Sequence, residues 1–173
     1  MDVDIRRATP ADAEAIASVH LDSWDAAYRG LIADAYIDLL LSRRQERADR
    51  WRTILETADG DDRTWVVERA GEVLGFCGTG PARDEDAIVG TGEVLALYLR
   101  PGVVGTGIGR QLFAHAVVDL HERGYAPLTL WVLRQNDRGR RFYEAAGWRP
   151  DGAQKVETRP GASLDEVRYR WDG

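Results

Sequence analysis

The 173-residue sequence has only one cysteine, Cys77, so no disulfide can form within the chain. No apolar run approaches about 18 residues, the length that a membrane-spanning helix requires. The N-terminus also lacks the charged and apolar regions of a secretory signal. From these absences we expect a cytoplasmic protein with no membrane association.

The sequence has no excess of basic residues. Lys and Arg together number 23 against 29 Asp and Glu, which gives a formal net charge of −6. This balance argues against nucleic acid as the main partner. Of the three histidines, His20 and His115 fall on predicted helices and His121 near a helix end. None has the spacing of metal ligands, so we predict no metal site and interpret all three as structural or surface residues. The length predicts one domain over residues 1–173.

A strand followed by a glycine-rich loop and a helix is the most informative stretch. Residues 93–100 are mostly apolar and end at Pro101-Gly102, which predicts a strand. Residues 108–123 have the apolar spacing of an amphipathic helix, followed by Gly124 as a cap. The apolar positions of this helix are Ile108, Leu112, Phe113, Ala116, Val117 and Leu120.

Three glycines, Gly105, Gly107 and Gly109, lie where this strand turns into the helix. Glycine adopts backbone angles closed to other residues, and the first amides of a helix have no partner within it. Such a junction predicts a cradle for a phosphate or pyrophosphate.

Two common phosphate-binding motifs do not fit these residues. A P-loop requires Lys-Ser or Lys-Thr after the last glycine, but Arg110-Gln111 follows here. A dinucleotide fingerprint counted from Gly105 requires its third glycine at position 110, which is arginine.

Two segments do match one family. Val104-Gly105-Thr106-Gly107-Ile108-Gly109 resembles the acyl-CoA pyrophosphate loop Gln/Arg-x-x-Gly-x-Gly/Ala of the GCN5-related N-acetyltransferases (GNAT). Residues 136–148, which include Asn136, Tyr143, Glu144 and Gly147, resemble the Asn-x-x-Ala-x-x-x-Tyr-Glu-x-x-Gly-Phe segment of the same family. The two motifs occur in the family's order, and the resemblance covers roughly residues 4–170.

The remaining patterns agree with the element order of that family. They predict strands at about 3–6, 64–69, 73–79, 128–133, 148–158 and 166–171, and helices beginning near Thr9, Ala33, Arg43 and Asp137. The resemblance implies the acyl-CoA N-acyltransferase fold, an α+β, three-layer α/β/α architecture. Its sheet is mixed and mostly antiparallel, and its central parallel strands, here 93–100 and 128–133, splay apart.

The resemblance also implies acetyl-CoA as the acyl donor. The pantetheine arm is expected to pair with backbone groups of Leu97 and Leu99, and the Leu97 amide to help hold the thioester oxygen. The remaining cofactor-binding residues implied are Val104, Gly105, Thr106, Gly107, Ile108, Gly109, Arg110, Asn136 and Arg138. Val104 departs from the family, which has Arg or Gln there, and Arg110, Arg138 or Arg140 are candidates to replace that charge.

Acetyl transfer to an amine requires removal of a proton from the ammonium and protonation of the departing thiolate. The resemblance places Tyr143 near the CoA sulfur, as candidate acid. Glu93 opens the strand on which related histone acetyltransferases carry a glutamate, so it is the candidate base, acting directly or through water. Cys77 is interpreted as a buried strand residue, because no base partner for an acyl-cysteine route is identifiable.

Trp24, Tyr28 and Trp131 are candidates for the wall of an acceptor pocket, where aromatic rings can hold an ammonium. Ordinary core packing is the alternative for each. The expected activity is N-acetylation of a primary amine of a small molecule or peptide, with the acceptor and a homodimer left open. A non-catalytic acyl-CoA-binding or sensor module is the alternative function, and Val104 is the feature that keeps it open.

Replacing Val104 with Arg restores the side chain that the family places beside the pyrophosphate. We expect tighter acetyl-CoA binding in a calorimetric titration, by up to roughly 1.5–3 kcal/mol for a charged hydrogen bond. An unchanged affinity would mean that another cation already performs this role.

Overall fold

The computed structural model describes residues 2–173, whose seven strands form one sheet in the order β1-β2-β3-β4-β5-β7-β6. The strands are β1 (Asp4–Arg7), β2 (Arg63–Arg69), β3 (Glu72–Pro81), β4 (Gly92–Leu99), β5 (Leu128–Leu133), β6 (Arg149–Arg159) and β7 (Ala162–Trp171). The helices are α1 (Ala13–Tyr28), α2 (Asp34–Ser42), α3 (Arg44–Thr57), α4 (Ile108–Glu122) and α5 (Asp137–Ala145). Within residues 2–173, no helix is long and apolar enough to cross a bilayer.

Helices cover both faces of the sheet, which confirms the three-layer α/β/α prediction. On one face, the apolar side of α4 packs against the central strands; this core includes Leu112, Phe113, Leu120, Leu128, Leu130 and Trp148. On the other face, Ile16 and Val19 of α1 pack with Val66 and Phe76, and Trp51 of α3 joins them. The predicted apolar side of α4 and the apolar residues of α1 therefore point into two separate cores.

Hydrogen bonds between Thr9 and Asp12 fix the start of α1, close to the position that the sequence predicted. The Thr9 amide donates to Asp12 Oδ2 at 2.8 Å and its hydroxyl donates to the same oxygen at 3.0 Å. Residues Pro10–Asp12 form a 3₁₀ turn, so the α-helix itself begins at Ala13. Arg6 of β1 donates to both oxygens of Asp12, at 2.9 and 2.8 Å, which ties this helix start to the sheet.

The two central strands pair over a short distance and then separate. Strands β4 and β5 run parallel, but only Gly92, Glu93 and Val94 are in register, with residues 128–130. All other neighbouring strands are antiparallel. The predicted splay is confirmed, and it leaves a gap beside the second half of β4.

A bulge in β4 lies where the separation begins. Against β3, Gly78 is opposite Ala96 while Thr79 is opposite Val94, so Leu95 has no partner. Before the bulge, the Gly92 amide donates towards β5, to the Pro127 carbonyl at 3.0 Å. After it, the Arg100 amide donates to Leu74 of β3 at 2.8 Å.

The bulge therefore changes which residues face the gap. Backbone groups of alternate residues point to the same neighbouring strand. Even-numbered residues face β5 before Leu95, and odd-numbered ones face it afterwards. Leu97 and Leu99 thus direct their backbone groups into the gap left by the departing strand.

The section where β4 pairs with β5 is tightly packed around Gly92. A Cβ at this position would lie 2.8 Å from Tyr125 Cβ and 2.9 Å from Leu128 Cδ2. We expect Gly92→Ala to lower the free energy of unfolding by about 1–3 kcal/mol, because the neighbouring atoms must move. Gly102→Ala is the matched control, since nothing lies within 4 Å of its added Cβ. Equal denaturation midpoints for the two variants would contradict this packing argument.

Candidate active site

A cleft of about 1330 Å³ occupies the gap between β4 and β5 and continues between α1–α2 and the β6–β7 hairpin. One end meets the loop before α4, and the other is enclosed by aromatic and charged side chains. Of the residues predicted for the site, those in its wall are Trp24, Tyr28, Glu93, Leu97, Leu99, Val104, Gly105, Gly109, Trp131, Asn136, Arg138 and Tyr143. Thr106, Gly107, Ile108 and Arg110 lie outside this wall.

The loop before α4 presents free backbone amides. Gly105 and Gly107 have φ of 85° and 90°, and Gly107 caps the helix in this left-handed conformation. Within residues 2–173, the amides of residues 105 and 107–109 have no hydrogen-bond acceptor. These donors and the helix dipole suit an anionic phosphate. The residues present therefore fit the pyrophosphate of an acyl-CoA.

Gly109 and Thr106 have structural roles in the loop. Gly109 has no positive φ, but a Cβ there would lie 2.6 Å from Leu99 Cδ1, so its small size lets α4 approach β4. The Thr106 hydroxyl donates to the Val103 carbonyl at 2.6 Å and holds the turn. The Thr106 hydroxyl proton is thus used in a hydrogen bond within the loop.

Among the arginines considered as replacements for the family's basic residue, only Arg138 lies in the cleft wall. Arg140 donates to the Tyr169 hydroxyl at 3.1 Å and to the Arg134 carbonyl at 3.3 Å. Arg141 also lies in the wall, and sequence reasoning missed it. The sequence could have indicated Arg141, because it lies one helical turn after Arg138 in α5.

Asn136 and Tyr143 reach the cleft from α5. Asn136 caps this helix, because its Oδ1 accepts a hydrogen bond from the Gly139 amide at 3.0 Å. The Tyr143 ring packs against Phe113 with centroids 5.5 Å apart. Burial raises the pKa of Tyr143, so its hydroxyl is protonated at neutral pH.

Glu93 lies where β4 and β5 are still paired, and only 7% of its surface is exposed. The backbone amide of Arg83 donates to its Oε2 at 3.0 Å. Burial raises the pKa of Glu93, although this hydrogen bond opposes the shift. The Glu93 carboxylate faces the cleft. Glu93 pairs with Thr129 of β5, so its side chain lies on the same side of the sheet as that of Trp131, two residues further along β5.

Aromatic rings line the far end of the cleft. The rings of Trp24 and Tyr28 meet edge to face with centroids 4.9 Å apart. Tyr98 of β4 stacks on His20 at 4.6 Å, and both line the cleft. Burial and the charges of Arg47 and Arg50 lower the pKa of His20 to about 3, so the ring is neutral. Sequence reasoning missed Tyr98, because the bulge alters the expected alternation of β4.

Two cationic side chains of the protein lie over the ring of Trp131. Lys155 Nζ lies 4.3 Å from its centroid, and Arg168 lies over the same ring at 5.6 Å. The Trp131 Nε1 donates to both carboxylate oxygens of Asp84 at 3.1 Å. Trp131 thus lies in the cleft wall, but its aromatic face is occupied by Lys155.

The other predicted features lie away from the cleft. Cys77 is fully buried in β3, opposite Leu97, and burial raises the pKa of its thiol. His115 and His121 pack edge to face against Trp65 and Trp171. In the described range 2–173, no three His, Cys, Asp or Glu side chains converge as a metal-binding group.

Comparison with known proteins now identifies the class. The model of the Acetyltransferase (GNAT) family matches residues 24–148. The chain belongs to this family of acetyltransferases, as the sequence motifs predicted.

Individual relatives match almost the whole chain. The uncharacterized N-acetyltransferase YuaI of Bacillus subtilis is 31% identical over 98% of this chain and 92% of its own length. A spermidine N(1)-acetyltransferase of Thermoplasma acidophilum is 26% identical over 98% of this chain and 99% of its own. The crystal structure of the PaiA N-acetyltransferase of T. acidophilum with coenzyme A has a TM-score of 0.72 and 23% identity, covering 99% of this chain and all of that one. This structural likeness shows the acyl-CoA N-acyltransferase fold.

Proposed function

We propose that this chain is an acetyl-CoA-dependent enzyme that acetylates a primary amine of a small molecule or peptide by direct transfer. One observation carries the proposal: a single cleft is lined by Gly105 and Gly109, whose amides are free, by Leu97 and Leu99, whose backbone faces the gap, and by the side chains of Glu93 and Tyr143. The coenzyme A bound by the T. acidophilum structural neighbour supports the choice of donor.

Different residues of the cleft bind different parts of the donor, acetyl-CoA. The amides of the loop and the N-terminus of α4 hold the pyrophosphate, and the charge of Arg138 replaces the missing basic residue at Val104. The backbone of Leu97 and Leu99 pairs with the amide groups of the pantetheine arm. The donor supplies a thioester, whose oxygen is stabilised by the Leu97 amide as negative charge develops.

Glu93 and Tyr143 transfer the protons in the proposed reaction. Glu93 accepts a proton from the substrate ammonium, directly or through one water, because its raised pKa makes it a stronger base than an exposed carboxylate. The amine nitrogen then forms a bond to the acetyl carbon while the carbon–sulfur bond breaks. Tyr143 donates its hydroxyl proton to the departing sulfur, and solvent returns a proton to the phenol.

Direct transfer is favoured over an acyl-cysteine intermediate, because no cysteine among residues 2–173 lies in the cleft wall. Cys77, the single cysteine, is 0% exposed and is absent from the cleft wall. Its raised pKa keeps it as an unreactive thiol. A ternary complex of enzyme, donor and amine is therefore the expected route.

Replacing Tyr143 with Phe removes the proposed acid while keeping the ring packing on Phe113. We expect the turnover number for amine-dependent thiol release to fall by roughly 10²-fold, with acetyl-CoA affinity little changed. Tyr125→Phe is the control, since Tyr125 lies outside the cleft. Equal turnover of both variants would remove Tyr143 from the mechanism. An absence of thiol release with any amine, despite tight acetyl-CoA binding, would favour the sensor function.

Glu93 makes the reaction dependent on pH. Its carboxylate must be ionised to act as a base, so kcat/KM falls as the pH drops through its pKa, which burial has raised above the ordinary glutamate value. Glu93→Gln retains an acceptor for the Arg83 amide. We expect this variant to lose roughly 10²-fold in kcat/KM and to lose the acidic limb of the pH profile. An unchanged profile would show that water alone performs the role.

A further inference from the structure

Two arginines at the aromatic end of the cleft have no acidic partner. Arg47 and Arg50 lie three residues apart on α3 and both line the cleft. Within residues 2–173, neither side chain forms an ion pair or a hydrogen bond. Arg159 of β6 approaches the same place, but it pairs with Glu157 at 2.5 Å. The two α3 guanidinium groups are therefore the uncompensated cations of this region.

Arg47 lies deeper than a surface arginine. Its side chain is partly buried beside Tyr36 and Tyr98, and both burial and the charge of Arg50 lower its pKa. Keeping a guanidinium in such a place without a counter-charge is unfavourable. Its planar group of donors matches the two oxygens of a carboxylate.

The acidic side chains at this end of the cleft already have partners. Lys155 Nζ lies 3.6 Å from Glu166 and 3.9 Å from Glu157. Asp84 pairs with Arg168 at 3.1 Å. Glu93 is different, because the Arg83 backbone amide is its only hydrogen-bond donor among residues 2–173. Away from the end that adjoins the loop before α4, the cleft therefore has a carboxylate without an ion pair at Glu93 and cations without an ion pair at Arg47 and Arg50.

We infer that the acceptor is an amino carboxylic acid, whose ammonium approaches Glu93 while its carboxylate binds Arg47 and Arg50. This inference rests on the proposed function and specifies its substrate class. Such a ligand neutralises Glu93 and the two α3 arginines at once. A polyamine compensates only Glu93 and brings further positive charge towards the two arginines. The apolar walls from Tyr36 and Leu40 suit the carbon chain between the two ends.

The inference is tested with acids and amides that differ in one charge. The probes are glycine, 4-aminobutyrate and 6-aminohexanoate, each compared with its own carboxamide, and spermidine. Thiol release gives kcat/KM for each amine, and calorimetry measures the binding of each to the coenzyme A-saturated protein. We expect at least one acid to exceed its amide by about tenfold or more, the value of one charged hydrogen bond.

Arg47→Gln is then expected to lower kcat/KM for the acid about tenfold more than for its amide, so that the acid-to-amide preference is lost. Arg43→Gln is the matched control, because Arg43 precedes the same helix, is exposed and lies outside the cleft wall. It should retain the full preference. The ratio of kcat/KM for the acid to kcat/KM for its amide is informative, because a general loss of folding lowers both values alike.

Three results would overturn the inference: equal values for every acid and amide, a preference unaffected by Arg47→Gln, or spermidine exceeding all the acids. In each of these cases amines are still acetylated, so the proposed function stands. A protein that binds no acetyl-CoA would instead refute the proposed function itself.

Discussion

The separation of β4 from β5 after Val94 is the constraint on which the site depends. Backbone groups in the middle of a sheet normally pair with a neighbouring strand, and leaving them unpaired is costly unless another partner is available. Here the bulge at Leu95 turns the groups of Leu97 and Leu99 towards the gap. An extended ligand with its own amide groups, such as the proposed pantetheine arm, can complete this interrupted edge.

The packing of α4 supports the same cleft. The close approach of Gly109 to Leu99 brings the start of the helix against the end of β4, so the free amides lie next to the unpaired strand. On the opposite face, α1 contributes His20 and Trp24 around Tyr98. One strand thus presents backbone groups to the gap and a side chain to the aromatic end. Strand β4 therefore lies beside both the proposed cofactor site and the proposed acceptor site.

Local patterns in the sequence predicted the elements well. The strand Leu128–Leu133 has the predicted bounds, and helix α4 begins at the residue where its apolar period starts. Two short motifs predicted the family, because glycine spacing and capping residues act within a few positions. The strand β7 begins at Ala162, earlier than the predicted Glu166, because its early residues pair with β6 rather than following a simple alternation.

Long-range contacts at the site were not predictable in this way. The ring of Trp131 is covered by Lys155, which lies 24 positions away, and no local pattern indicates this contact. Tyr98 faces the cleft only because of a bulge that depends on pairing with β3. The unpaired state of Arg47 becomes visible only when the positions of all the acidic side chains are known.

A calorimetric titration of the purified protein with acetyl-CoA, repeated with NAD, tests the central claim most directly. The cleft beside β4 predicts micromolar binding of acetyl-CoA at one site per chain and far weaker binding of NAD, which lacks the pantetheine arm. Failure to bind acetyl-CoA at millimolar concentration, or equal affinity for NAD, would contradict the assignment of the cleft to an acyl-CoA.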